Sequence, residues 1–231
     1  MIALEITGFV SGLLLIVLLR QPRWILSGIS WVAPGVTYFA YTHQRVVALT
    51  IDDGPDADTT PQILDVLKRH NVRATFFLIS SRVAGNEAIV SQIISEGHEI
   101  GNHLTQDAPS ILLSPEQFEF ALLEAHATLS CFAHLRWLRP ASGWYNARMI
   151  ETTQAHHYQV ALGSIFPFDT HLRSTWFASH HILMNIYPGA IVVLHDTKSR
   201  GRRTAATLEA VLPALHRRGY QCVTLSDLFS A

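Results

Sequence analysis

The sequence predicts an α/β protein built on a parallel sheet. Seven short apolar segments, rich in β-branched and aromatic residues, alternate with six segments of helical periodicity. Each of the seven is apolar almost throughout, as is typical of strands that helices cover on both faces. This alternation fits a closed barrel and an open doubly wound sheet equally well. Both architectures gather functional side chains at the carboxyl ends of the strands.

The predicted elements follow one another from residue 46 to the end of the chain. We place strands at 46–52, 74–79, 98–103, 136–141, 159–165, 190–195 and 221–225. Helical patterns lie between them at 60–70, 86–96, 115–131, 146–157, 176–186 and 204–218. Ser114 before Pro115 is a typical helix start, and Gly97 is a typical helix stop. We find no repeat and no linker after residue 46.

Length and composition narrow the possible classes of function. The 231 residues suffice for one domain with a short appendage. A net charge of −1 gives no electrostatic footprint for nucleic acid, so we expect no nucleic-acid partner. The two cysteines, Cys131 and Cys222, form neither a CxxC motif nor a disulfide framework. Nothing in the sequence indicates the oligomeric state.

The N-terminus is strongly apolar and predicts attachment to a membrane. Residues 6–19 carry no charge, and with residues 1–4 they approach the length of a membrane span, interrupted only by Glu5. The segment lacks both a basic n-region and a small-residue cleavage site, so we interpret it as uncleaved. We therefore expect an N-terminal membrane segment of one or two helices at 1–41 and a folded domain at 42–231.

A second apolar stretch at 24–41 leaves the topology open. Arg20 and Arg23 lie between the two stretches, and positive charge prefers the cytoplasmic side. If both stretches span, the domain faces outward, and if only the first spans, it faces the cytoplasm. Pro34 and Gly35 weaken the second span, so this stretch could instead lie along the membrane or cover the domain. We expect a membrane-anchored protein whose domain faces the cell envelope or periplasm.

Polar residues recur where the predicted strands end. A solvated loop explains one or two of them but explains the whole set poorly. Because carboxyl ends of parallel strands meet at one edge of a sheet, we expect these side chains to lie together. They are Asp52 and Asp53, His103 with Asp107, Arg139, Asp169, and His195 with Asp196.

Three of these residues suggest a metal site. Asp53, His103 and Asp107 offer two carboxylates and one imidazole, and three protein ligands with an open position are typical of catalytic zinc. Such a cation polarises a carbonyl group and lowers the pKa of its bound water to roughly 7. Neighbouring side chains of a strand point in opposite directions. We therefore expect Asp52 and Asp53 to serve different roles, one binding the cation and the other accepting a proton, and the cation also reduces the repulsion between the two.

Four segments, in order, resemble the signature motifs of the polysaccharide deacetylases. This family, carbohydrate esterase family 4 with its NodB homology domain, includes chitin and peptidoglycan deacetylases. TIDDGP at 50–55 is similar to the family's TFDDGP, and GHEIGNH at 97–103 is similar to its second motif. RP at 139–140 begins the third, and PGAIVVLHD at 188–196 resembles the last. The resemblance covers about 180 residues, the whole chain after the N-terminal segment.

The resemblance implies a fold and an activity. The fold is a distorted (β/α) barrel of about seven parallel strands. The activity is hydrolysis of N-acetyl groups on an amino-sugar polymer or glycan, through a tetrahedral oxyanion and with a divalent metal. Zinc is the metal expected, with cobalt, manganese or nickel as alternatives. The implied partners are therefore an N-acetylated glycan as substrate and the membrane at the N-terminus.

The resemblance also implies roles for single residues. Asp52 is the general base and His195 the general acid. Asp53 and His103 are metal ligands, and Leu194 lines the pocket for the acetyl methyl group. Arg139 holds Asp52 in place, and Asp169 pairs with His195 or with Arg139.

Three motifs depart from the family pattern. In one, GSIFPFDTHLRSTW at 163–176, Asp169 is kept but Trp176 is spaced away from it. His103-Leu104-Thr105-Gln106-Asp107 has an aspartate where the family has a second histidine. We expect Asp107 to bind the metal, since the spacing is kept; the alternative is a solvent-facing Asp107 in a weak or inactive site. In RPASGWYN the oxyanion amide falls near Ser142 or Gly143. Trp144 or Tyr145 forms a wall of the sugar site or belongs to the core.

These departures keep two other functions open. One is a related hydrolase acting on another amide or on an O-acetyl ester. The other is a catalytically weak, membrane-tethered glycan-binding protein. The presence of both Asp52 and His195 favours an enzyme, because a binding protein needs neither a base nor an acid.

Overall fold

Eight parallel strands form the centre of the part of the molecule that the structure describes. The structure is a computed structural model, and it describes residues 16–17, 19–32 and 34–230. The strands are β1 Val36–Thr37, β2 Val46–Gly54, β3 Thr75–Leu78, β4 Glu99–Asn102, β5 Trp137–Leu138, β6 Gln159–Ala161, β7 Ile191–His195 and β8 Gln221–Val223. Their order in the sheet is β1-β6-β5-β4-β3-β2-β7, and β8 also pairs with β2.

The two edges of the sheet curl toward each other. Ile165, which follows β6, bridges Val192 of β7, and Phe39, which follows β1, bridges Ala190. The amide of Val193 donates to the carbonyl of Ile165 at 3.0 Å. These bridges make the sheet a distorted parallel barrel, which confirms the predicted fold. Strand β1 was not predicted, because two residues are too short to show an alternating pattern.

Helices surround the sheet. They are α1 Arg23–Val32, α2 Thr60–Arg69, α3 Glu87–Ser95, α4 Pro115–Leu129, α5 Ala147–Ala155, α6 Thr175–Asn185, α7 Lys198–Arg217 and α8 Leu225–Leu228. The Ser114 side chain caps α4 by accepting from the amide of Gln117, as the sequence predicts. Helix α7 begins six residues before its predicted start at 204, so residues 198–203 are helical and not a loop.

Alternation along the strands divides the core into two layers. Val47, Leu49 and Ile51 of β2 belong to the larger cluster, which packs beneath the helices. Ala48 belongs to a smaller cluster with Phe77 and side chains of the neighbouring strands, and Leu225 and Leu228 of α8 pack against them. Successive side chains of a strand point to opposite faces. Side chains at the carboxyl ends of the strands therefore point to one face of the sheet or to the other. This direction decides which of them line the functional site.

Only part of the predicted N-terminal membrane segment falls on residues that the structure describes. The predicted first span, 6–19, falls almost wholly outside the described residues. Within those residues, no helix combines the length and the apolar character needed to cross a membrane. Helix α1 has ten residues, and β1 follows it and pairs with β6. A second span at 24–41 is therefore wrong, and the folded domain includes Val36, Phe39 and Ala40, which are buried ahead of residue 42.

Candidate active site

A cleft of about 660 Å³ opens at the carboxyl end of the sheet. Eight of the nine side chains predicted for the site line it, and Leu194 is the exception. Leu194 is fully buried in the larger core cluster. Its neighbours Val193 and His195 line the cleft instead, as alternation along β7 requires. The eight lining residues are Asp52, Asp53, His103, Asp107, Arg139, Trp144, Asp169 and His195.

Asp52 and Asp53 both turn into this cleft. Asp52 keeps the regular strand conformation and lies opposite His195 in the register of β2 and β7. Asp53 has a φ of 72°, and the pairing with β3 shifts register between Asp52 and Gly54. A left-handed residue breaks the alternation of the strand, so the expectation that these side chains point in opposite directions is wrong. Such backbone is uncommon outside glycine and concentrates at functional sites.

Asp52 is held by a buried arginine. Arg139 Nη1 donates to Asp52 Oδ1 at 2.6 Å and to Thr50 Oγ1 at 2.8 Å, and Arg139 Nε donates to the carbonyl of Ala161 at 2.8 Å. The side chains of Asp52 and Arg139 are both almost fully buried. The pairing compensates a carboxylate that would be costly to bury alone. It fixes the position of the Asp52 side chain in the cleft.

An aromatic ring forms the floor beneath these charges. The guanidinium of Arg139 lies 4.1 Å from the ring centroid of Phe77, a cation–π contact. The His103 ring is 6.4 Å from the same ring. Gly101 leaves space for Phe77, since a Cβ at Gly101 would lie 2.7 Å from two of its ring atoms. The GHEIGNH segment therefore contributes packing space as well as His103.

His103 is oriented through its Nδ1 atom. This nitrogen lies 2.7 Å from the carbonyl oxygen of Arg139, which can only accept, so Nδ1 carries a hydrogen. Nε2 then faces Asp53 Oδ1 at 3.5 Å. Burial alone would lower the pKa of His103, but the hydrogen bond to Asp53 and the charges of Asp52 and Asp53 raise it. When the ring is neutral, Nε2 is the free nitrogen, as in metal-binding histidines.

Asp53 is strongly ionised. Burial alone would raise its pKa, but His103, His195 and Arg200 outweigh burial and hold the pKa at about 2. Arg200 Nη1 donates to Asp53 Oδ2 at 3.2 Å. Arg82 also reaches this residue, donating to its backbone carbonyl. A buried carboxylate therefore lies between an imidazole and a guanidinium.

His195 is oriented by Asp169. Asp169 Oδ2 accepts from the backbone amide of His195 at 3.0 Å and lies 3.0 Å from its Nδ1. Of the two partners expected for Asp169, His195 is the one it contacts. Burial would lower the pKa of His195, but Asp169, Asp52 and Asp53 raise it to about 9. With Nδ1 turned toward Asp169, Nε2 is left for the cleft.

The three predicted metal ligands do not form one ready set. Asp107 Oδ2 accepts from Arg82 Nη2 at 2.9 Å, and the Asp107 side chain is 49% exposed. Among the described residues, no group of three or more His, Cys, Asp or Glu side chains is arranged to hold a metal ion. The Asp53–His103 pair fits two positions of a divalent cation, because its imidazole is anchored through Nδ1. Asp107 as a third ligand stays a prediction.

The rim of the cleft is aromatic and polar. Trp144 is 69% exposed and lines the cleft, so it is not a core aromatic. Tyr145 donates or accepts a hydrogen bond with the buried Tyr38 at 2.6 Å. Of the two amides considered for the oxyanion, that of Gly143 donates to the Pro140 carbonyl at 3.0 Å. The amide of Ser142, a residue with a φ of 70°, is therefore the remaining candidate donor for the oxyanion.

Sequence reasoning missed two residues at the site, Arg82 and Arg200, and it gave Asp196 no role of its own. Arg82 follows β3 in a short turn, and Arg200 lies in the first turn of α7, ahead of the helix start predicted at 204. Asp196 is fully buried and accepts from Thr59 Oγ1 at 2.5 Å and from the Thr60 hydroxyl. Burial raises the pKa of Asp196 to about 6 despite these bonds. Asp196 thus joins the start of α2 to the end of β7, next to both catalytic candidates.

The fold and the cleft together define a class of protein. A parallel barrel that gathers carboxylates, two histidines and a buried arginine at the carboxyl ends of its strands has the features of an enzyme active site. The chain belongs to the polysaccharide deacetylase family, whose model, described as "Polysaccharide deacetylase", matches residues 40–161. The family predicted from the four motifs is thereby confirmed, and with it the class of enzyme.

Relatives and solved structures agree with this family. The chain is 35% identical over 196 residues to a peptidoglycan-N-acetylglucosamine deacetylase of Bacillus cereus, covering 84% of this chain and 92% of the relative. It is similar to the solved Bc1960 peptidoglycan N-acetylglucosamine deacetylase, with a TM-score of 0.81, 28% identity and coverage of 87% and 96%. It is also similar to BA3943, a pseudoenzyme of this family from Bacillus anthracis, with a TM-score of 0.77, 25% identity and coverage of 85% and 69%.

Proposed function

We propose that this chain hydrolyses the N-acetyl groups of an amino-sugar polymer. The observation that carries the proposal is the pairing of Asp52 with Arg139 and of His195 with Asp169 on adjacent strands of one cleft. A base and an acid that flank one bound amide are the groups that amide hydrolysis needs. The named activity of the Bacillus cereus relative supports the same reaction and a substrate such as peptidoglycan.

The residues of the cleft account for the proton transfers. Asp52 accepts a proton as water attacks the acetyl carbonyl carbon, and Arg139 keeps the carboxylate directed at the water. His195, held through Nδ1 by Asp169, donates a proton from Nε2 to the departing nitrogen. The C–N bond breaks, and acetate and a free amine are released. A raised pKa keeps His195 protonated near neutral pH, as an acid requires.

Asp53 and His103 are the residues that would hold a divalent metal. When bound, the cation supplies Lewis acidity toward the acetyl carbonyl oxygen. The family resemblance implies this cofactor, and zinc stays the metal expected. The amide of Ser142 is the backbone donor we propose for the oxyanion. Trp144 at the rim offers a flat apolar surface for a sugar ring.

Acetate release by the full chain tests this function. The protein is stripped with chelator, then supplied with zinc, cobalt, manganese or nickel and incubated with N-acetylglucosamine oligomers or peptidoglycan. Asp52→Asn and His195→Ala are expected to lower turnover by at least about 10³-fold, in line with catalytic groups that act as a unit. Asp65→Asn and His180→Ala are matched controls, because both residues lie on exposed helix surface outside the cleft.

Two results would contradict the proposal. The first is turnover that survives Asp52→Asn or His195→Ala. The second is the absence of acetate from every glycan and metal while the protein stays folded. An O-acetylated xylan in the same assay separates amide hydrolysis from ester hydrolysis.

A glycan-binding role is the second candidate. It is favoured by the arginines that pair with Asp53 and Asp107 and by the likeness to the BA3943 pseudoenzyme. Under this alternative the wild-type chain retains glycan in a pull-down yet releases no acetate. Trp144→Ala would then weaken retention, while Trp176→Ala, an exposed tryptophan outside the cleft, would not.

We propose that the chain works at the surface of a membrane in the cell envelope. Helix α1 exposes 72% of Trp24 and 87% of Trp31, and exposed tryptophans of this kind are typical of membrane interfaces. Gln21 ties this region to the cleft, since its side chain exchanges two hydrogen bonds of 2.8 Å with the backbone of Phe166. A glycan near the membrane would therefore lie close to the catalytic groups.

Tryptophan fluorescence in vesicles tests this location. The full chain is reconstituted in vesicles containing brominated lipids, which quench tryptophans that lie in the bilayer interface. Quenching is expected to fall in Trp24→Phe/Trp31→Phe and to be unchanged in Trp176→Phe. Equal quenching in the double variant and the wild type would overturn the proposal.

A further inference from the structure

Each carboxylate at the outer part of the cleft already has a guanidinium partner. Asp53 Oδ2 accepts from Arg200 Nη1 at 3.2 Å, and Asp107 Oδ2 accepts from Arg82 Nη2 at 2.9 Å. Asp52 has Arg139 at 2.6 Å. In the described part of the site, three aspartates thus face three arginines, pair by pair. Their charge is balanced before any divalent cation is added.

The two outer arginines come from different elements that converge on one place. Arg82 extends from the turn after β3 and binds both the Asp107 carboxylate and the Asp53 carbonyl. Arg200 extends from the first turn of α7, close behind His195 on the chain. Both line the cavity beside the cleft, together with Asp107. Neither guanidinium is fully buried, so both can leave for solvent.

We infer that Arg200 and Arg82 are built-in counter-cations of Asp53 and Asp107, and that a divalent metal replaces them as the charge partner of these carboxylates. A metal that joined the site with all three arginines in place would leave its own two charges uncompensated, which is unfavourable in a partly buried site. Metal binding and arginine release are therefore one event. In the apo site the charges of the three aspartates are compensated by the three arginines.

This competition also explains the aspartate at position 107. A histidine at the same place is neutral and has no attraction for Arg82, whereas Asp107 forms an ion pair with it. The carboxylate that replaces the family's histidine therefore has two possible cationic partners. Arg82 determines which of them it contacts in the metal-free state.

Zinc binding by the full chain tests the inference without measuring turnover. Chelator-stripped wild type and Arg200→Gln are titrated with zinc in competition with a chromophoric chelator. Removal of one partly exposed charged hydrogen bond is expected to tighten the zinc Kd by about tenfold. Arg202→Gln is the matched control, because Arg202 is exposed on the same helix and makes no salt bridge within the described residues. Its Kd is expected to equal that of wild type.

Several results would overturn the inference. These are an Arg200→Gln Kd equal to that of wild type, an equal gain in Arg202→Gln, or no zinc binding by any of the proteins. If Arg200→Gln fails to fold, displacement is tested in the wild type by NMR of its arginine Nε–H groups. Saturating zinc is expected to move the Arg200 resonance to the position of an exposed arginine and to leave Arg202 unmoved. An unmoved Arg200 resonance at saturation would refute displacement.

The inference concerns the cation that the proposed function uses, yet the two can fail separately. A tightened Kd with no acetate release leaves the inference standing and removes the deacetylase proposal. Acetate release by the wild type, with a zinc Kd that Arg200→Gln leaves unchanged, supports the deacetylase proposal and refutes the inference.

Discussion

The cleft has two halves that are held in different ways. The inner half consists of Asp52 with Arg139 and His195 with Asp169, and strand residues and buried contacts fix its positions. The outer half consists of Asp53 with Arg200 and Asp107 with Arg82, and long side chains from a turn and a helix start reach into it. Removal of one partner from a buried ion pair strongly destabilises a protein, whereas an exposed ion pair contributes little to its stability. We therefore expect the inner half to be structural and catalytic, and the outer half to be exchangeable.

Arg139→Met breaks the inner half and should have the largest effect. It leaves the buried Asp52 without a counter-charge, and removal of one partner of a buried pair costs about 3–5 kcal/mol. We expect a loss of this size in the free energy of unfolding, measured by urea denaturation, together with loss of turnover. Asp52→Asn in the same chain should restore part of the stability. A loss below about 1 kcal/mol in Arg139→Met would show that water or another group already solvates Asp52.

Asp169→Asn should have an intermediate effect that depends on pH. The pKa of His195 is about 9, against an ordinary value of 6.5, so its contribution to stability is present in full below pH 6.5. It is lost as the pH rises through about 9. Without the carboxylate of Asp169, the pKa of His195 falls and the free energy of unfolding at pH 6 drops by roughly 1–3 kcal/mol.

The His195 ring protons, followed by NMR in the metal-free protein, measure this change directly. The difference in stability between wild type and Asp169→Asn should shrink as the pH approaches 10. A difference that is constant with pH would mean that Asp169 acts only by packing. The alkaline limb of the activity profile should move to lower pH in the variant.

The inner half was accessible from the sequence, whereas in the outer half the sequence indicated only the two aspartates and neither arginine. Apolar runs predict the strands, and strand ends predict where Asp52, Arg139 and His195 lie, because the backbone carries them there. The direction of Asp53 depends on a left-handed residue that no alternation shows. The contacts of Arg82 and Arg200 depend on flexible side chains whose targets come from other elements. Leu194 shows that a motif position alone does not predict the direction of a side chain. The resemblance implied that Leu194 lines the pocket, but its side chain packs into the core.

Asp107→His should have the smallest effect on stability, although it changes the outer half. The pair of Asp107 with Arg82 is half exposed, so its loss should change the free energy of unfolding by no more than about 1 kcal/mol. Arg82 is freed, and a neutral imidazole at the family's position becomes available as a third ligand beside Asp53 and His103. We expect zinc to bind about tenfold more tightly, as measured by chelator competition. Asp107→Asn is the matched control, because it also frees Arg82 but supplies a weaker ligand. If the histidine variant were destabilised by several kcal/mol with no gain in affinity, the outer half would be as fixed as the inner one, and the contrast between them would fail.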